Sequence, residues 1–162
     1  MSVPESFARI ESWLSRNVPG VLHQLNGPIS STSELDKAEE ILDAKFPPSV
    51  REAYTYHNGE SRNSKGLFGC WRWLPLQEII NWNDEQKRHV QKYRLVDFKP
   101  SFMIPLLEST TSEHDLRYVE TSGDDGQEET PVIEWNHHQP TRDVKYGSTN
   151  IVECHFSSSR IF

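Results

Sequence analysis

The sequence predicts an α+β domain in which N-terminal helices pack on a mostly antiparallel sheet drawn from the C-terminal half. Three observations lead there. Apolar residues in the first third recur at three- and four-residue steps, the period of one helix face. After Lys99-Pro100 the pattern shortens to β-rich segments at residues 102–107, 116–121, 131–135 and 143–146. Proline, glycine and asparagine punctuate the boundaries, with no internal repeat and no linker long enough to divide 162 residues. One domain is therefore expected.

The elements follow in order. Ser2 and Glu5 have capping-box spacing, Pro4 suits a first turn, and Phe7, Ile10, Trp13, Leu14 and Val18 share a face. Pro19-Gly20 breaks this helix, residues 21–25 suit a further turn, and Asn26-Gly27-Pro28 stops the chain again. Ser31 and Glu34 repeat the capping-box spacing. Leu35, Ala38, Ile41 and Leu42 form the expected buried stripe, leaving Asp36, Lys37, Glu39, Glu40 and Asp43 in water. Pro47-Pro48 opens a third helix with Val50, Ala53, Tyr54 and His57 inward, closed by Asn58-Gly59. Residues 71–74 alternate as a strand that Pro75 ends. Residues 76–90 then read as a helix with Leu76, Ile79, Ile80 and Asn83 on one face and a basic tail. Ser122-Gly123-Asp124-Asp125-Gly126 carries the turn chemistry of a hairpin loop.

Composition excludes several classes. Seventeen Lys and Arg against 24 Asp and Glu give a formal charge of −7, which leaves no cation surplus for general nucleic-acid binding. No apolar run approaches the roughly 18 residues of a membrane span, and the start lacks a signal pattern, so a cytoplasmic protein is expected. Two distant cysteines, Cys70 and Cys154, make neither a disulfide framework nor a zinc cluster. The charge is unevenly placed. Residues 104–134 hold nine acids against Arg117, a net of −8, whereas residues 60–103 carry +3. The acidic stretch is either ordinary solvated surface or a face that steers a basic partner. Asp124, Asp125, Glu128 and Glu129 are its candidate interaction residues.

The Trp13-Leu14 opening, the helix ending at Leu42, and Phe46-Pro47-Pro48 leading to Tyr54, His57, Asn58 and Gly59 form a joint pattern. With Gly66-Leu67-Phe68-Gly69 and the 102–106 and 132–138 segments, it resembles the SUKH superfamily. The branch concerned holds fungal cell-wall assembly regulators and bacterial immunity proteins. The similarity covers about residues 7–148, so 1–148 is taken as one SUKH-like domain. Residues 149–162 lack the amphipathic helix usual in the family and are expected to be a divergent or truncated tail. The resemblance implies a non-catalytic protein-binding module. In the immunity form it blocks a toxin, and in the alternative form it is a scaffold in cell-wall signalling. It transfers no catalytic residues.

The residues themselves agree with that absence. Cys70, between Phe68-Gly69 and Trp71, reads as a buried thiol acting as a small hydrophobe rather than a nucleophile. Adjacent carboxylates in a turn keep ordinary acidity, unsuited to general acid work. His137-His138 and Cys154-His155 each give one metal ligand at most on a strand and would need a third such as His114, so no metal or cofactor is expected. Residues 59–66 are glycine-bounded but match no phosphate-binding spacing. Trp71, Trp73 and Trp82 have two readings, core packing or, beside Arg72, the Trp/Arg composition of a binding hot spot.

Overall fold

The computed structural model describes residues 2–93, 103–111, 116–120, 132–136 and 139–146. Helix α1 spans Val3–Asn17 and begins with a complete capping box: the Glu5 carboxylate accepts from the Ser2 backbone N–H at 2.8 Å, and Ser2 Oγ accepts from the Glu5 N–H. It buries Val3, Phe7, Ile10 and Leu14, while Val18, lying beyond the last turn, is exposed. The short α2, Pro19–Leu22, follows, and then α3, Thr32–Leu42.

Helix α3 departs from expectation at two points. Ser31 Oγ pairs with Ser33 Oγ instead of capping, and Glu34 reaches back to the Ser30 N–H at 3.0 Å. Ile41 is exposed, and Glu39 takes the buried place that apolarity assigned to it. The cause is phase. At about 100° per residue, Glu39 lies some 40° from Leu35 and inside the stripe, whereas Ile41 lies about 120° from Leu35 and outside it.

Burying Glu39 requires partners, and the chain that follows supplies them, from the connection after α3 and from the next helix. Lys45 Nζ at 2.9 Å, Arg51 at 2.6 Å and the Phe46 N–H at 3.0 Å all donate to its carboxylate. Burial pushes the Glu39 pKa up, but these three donors more than offset it and hold the carboxyl below its ordinary range. A depressed carboxylate stabilises the fold fully above the unfolded-state pKa, and that contribution is lost as pH falls through the folded-state value. Glu39→Gln should therefore lower stability at neutral pH by about 1–3 kcal/mol. It should also flatten the acid limb of a urea-denaturation series, and an unchanged acid limb would assign acid lability to other groups.

Helix α4, Pro48–Tyr54, buries Val50, Ala53 and Tyr54 as its pattern predicts. Asn58-Gly59 does not close it, contrary to expectation, because α4 already ends at Tyr54 with Thr55 as its C-cap; the pair instead shapes the crossing that follows. Asn58 Oδ1 accepts the N–H of Leu76 at 2.9 Å, the first residue of the long helix α5, Leu76–Tyr93. Gly59, at φ +65°, lets the chain cross the Leu74-Pro75 backbone closely enough that a Cβ would meet it at 2.5 Å. His57 ties α1 to this crossing, with Nδ1 on the Asn26 carbonyl at 2.8 Å and Nε2 on Glu11 at 2.6 Å.

The strands are β1 Trp71–Trp73, β2 Met103–Ser109, β3 Leu116–Glu120, β4 Val132–Asn136 and β5 Gln139–Tyr146. They form one antiparallel sheet in sequential order. The register between β2 and β3 shifts between Pro105 and Leu107, where proline has no N–H for the ladder. Ile104, Leu106 and Leu107 are all buried there. Helix α5 packs on β2 and α3, and the core joins Phe7, Leu35, Leu42, Tyr54, Trp73, Ile79 and Leu107. This is the predicted α+β arrangement. Among the described residues no helix is long and apolar enough to cross a membrane.

Candidate functional site

Both faces of β1 are covered. Trp73 stacks on Phe7 at 5.9 Å and donates its indole N–H to the Tyr54 hydroxyl at 3.0 Å, which in turn donates to the Leu74 carbonyl at 2.7 Å. Trp71 is buried beneath the Arg117 guanidinium, 4.1 Å from its ring centroid. Of the two readings of this cluster, Trp71 and Trp73 take the core one, because helices and β3 close over the face they share. Trp82 is partly buried on α5.

Arg72 points the other way and is also buried, at 3% exposure. Its cross-strand partner in register is Glu108, and the Arg72 Nη2 atom lies 2.6 Å from that carboxylate and 2.5 Å from Glu78 on the first turn of α5. Burial works against the guanidinium charge, and the two carboxylates more than restore it. One side chain thus joins β1, β2 and α5. The hot-spot reading of Arg72 is corrected accordingly: its donors are committed inside the fold, and the residues around it form the surface.

A second buried charge shapes that surface. Glu60 is fully buried; one carboxylate oxygen accepts from Ser64 Oγ at 2.6 Å and the Leu67 N–H at 2.9 Å, the other from the Trp73 N–H at 2.6 Å. Burial drives its pKa up despite these donors. Glu60 thereby folds residues 61–66 into an ordered loop beside β1. Gly66 completes the loop at φ +95°, where a Cβ would lie 2.6 Å from the Trp71 carbonyl oxygen. The glycine-bounded stretch that matched no phosphate motif is therefore a carboxylate-centred loop. Neither periodicity nor spacing marked Glu60, whose carboxylate partners Ser64, Leu67 and Trp73 come from the loop and from β1.

The loop, α5 and the end of β2 enclose a polar cleft of about 1040 Å³. Arg62 and Lys65 stand on the loop wall. Glu78, Asn81, Trp82 and Glu85 line the helix wall at the i, i+3, i+4, i+7 spacing of one face, and Glu108 to Thr111 form the third side. Arg72 is the floor.

Two further expectations meet the structure here. Cys70 is exposed rather than buried. Gly69, at φ +75°, turns the chain outward before it, and the Cys70 carbonyl is held by the Thr110 N–H at 2.8 Å. Among the described residues no group of three His, Cys, Asp or Glu side chains could hold a metal ion. His114, His137, His138, Cys154 and His155 lie outside the described residues. So do Asp124, Asp125, Glu128 and Glu129, in the stretch that connects β3 to β4.

Helices on a sequentially ordered antiparallel sheet, with a polar cleft whose floor is an ion-pair cluster, define a small α+β domain. A family model described as SMI1 / KNR4 family (SUKH-1) matches residues 30–151, and the chain belongs to that family. The match begins after α1 and α2, although α1 contributes Phe7 to the core. No curated protein matches the sequence.

Proposed function

We propose that this chain is a non-catalytic, cytoplasmic protein-binding domain of the immunity type, which neutralises a partner toxin through an acidic surface. Membership of the SUKH-1 family suggests a protein-binding role, immunity or cell-wall related. The observation that carries the immunity reading is the concentration of charge: a net of −8 between residues 104 and 134, on a chain that is otherwise nearly neutral. Such a face attracts a basic surface of the kind a nuclease presents to its substrate, and a stoichiometric complex there excludes that substrate.

The test uses the toxin-like product of a neighbouring reading frame as partner. Reversing Asp124, Asp125, Glu128 and Glu129 to lysine should slow association by about ten- to a hundred-fold at low salt and reduce its salt dependence. Unchanged association kinetics would remove this surface from the proposal.

A further inference from the structure

We infer that the cleft over Arg72 receives an extended segment of a partner protein that carries one acidic and one basic side chain a few residues apart. The inference rests on the protein-binding reading and adds a second contact region to it. Size comes first. The cleft measures about 1040 Å³, the upper end of what single ligands occupy and ample for several residues of extended chain. Its lining is mostly polar, with Trp82 the one large apolar side chain, unlike the mostly apolar walls that hold a drug-like or lipid ligand.

The arrangement of charge then selects the occupant. Arg62 and Lys65 place two cations on the loop wall. Across from them, Glu78 and Glu108 share the single charge of Arg72, leaving one net negative, and Glu85 adds another. The cleft is thus balanced overall but polarised. A polyanion such as nucleic acid would meet uncompensated carboxylates on the helix wall, and a purely basic segment would meet Arg62 and Lys65. A segment bearing both signs satisfies both walls, and the amides of Asn63 and Asn81 suit its backbone N–H and C=O groups. The walls are also preorganised, because Glu60 fixes the loop through Ser64 and Leu67 while Arg72 fixes α5 against β2. Binding therefore orders little that is not already ordered.

A phage library of random twelve-residue peptides, selected on the full chain, supplies the probe. Enriched peptides should carry an acid and a base at a recurrent separation. Calorimetry on the synthetic peptide should show at least ten-fold weaker binding to Glu85→Lys and to Arg62→Glu/Lys65→Glu. All three residues are exposed, so these variants keep the fold. The lysine reversal at Asp124, Asp125, Glu128 and Glu129 should leave peptide affinity unchanged, which separates this inference from the acidic-surface proposal. Enrichment of apolar or single-sign peptides, absence of any enriched class, or equal affinity for the charge-reversed cleft variants would each overturn it. So would a single-stranded oligonucleotide that bound in the cleft and was lost with Arg62→Glu/Lys65→Glu.

Discussion

Arg72→Ala is expected to destabilise the domain by about 3–5 kcal/mol, because it removes one partner from a buried ion-pair cluster. Arg72 is 3% exposed, and its loss leaves Glu78 and Glu108 facing each other across the space it filled. These carboxylates are a third to a quarter exposed, so they can turn toward water, which places the effect nearer 3 than 5 kcal/mol. Separating charge from packing takes a second variant. Arg72→Met combined with Glu78→Gln and Glu108→Gln keeps the volume and removes the uncompensated charge, and it should recover most of the stability in urea denaturation. A single Arg72→Ala that unfolds like the native chain would mean that the guanidinium does not hold β1, β2 and α5 together.

Gly59→Ala and Gly66→Ala are expected to have effects as large, for a backbone reason. Both residues have positive φ, which costs a residue with a Cβ roughly 1–2 kcal/mol in the left-handed region. Both would also drive that Cβ into backbone, at 2.5 Å from the Pro75 nitrogen for Gly59 and 2.6 Å from the Trp71 oxygen for Gly66. No rotamer relieves such a contact, so main chain must move, and each variant should lose more than about 4 kcal/mol. Gly20→Ala is the control. It lies in α2 with nothing within 4 Å of the added methyl, and it should be neutral or slightly stabilising. Comparable midpoints for Gly20→Ala and Gly66→Ala in thermal unfolding would refute the crossing argument.

Much of this architecture was legible along the chain, and the failures are instructive. Helix starts at Ser2 and Pro48 and the places of β2, β3 and β4 are local properties, set by capping groups, proline and alternation within a few residues, whereas β5 begins at Gln139 rather than at residue 143 because it pairs there with Asn136. Ile41 is apolar by type, but its helical phase places it outside the stripe and in water. Glu39 was hidden because its compensating charges, Lys45 and Arg51, come only after the following turn. Cys70 has apolar neighbours in sequence, but the positive φ of Gly69 turns it away from them in space. The cleft was not legible at all. Its three walls meet only because Trp71 registers with Ser109 and Glu60 reaches the Trp73 N–H, pairings that no single segment encodes. The Arg72 pair with Glu108 needed that same register before either residue had a partner.

The sequential order of the strands has a kinetic consequence. Strands β2, β3 and β4 each pair with the next strand to emerge, so that part of the sheet assembles by successive short closures with little entropy to overcome. β1 is different: all of α5 separates it from β2, and it contributes only three residues to the ladder. Its docking closes the longest loop in the sheet for the fewest backbone hydrogen bonds. The Trp71–Trp73 strand is therefore held in the sheet chiefly by its side chains, Trp73 against Phe7 and Tyr54 and Arg72 against Glu78 and Glu108.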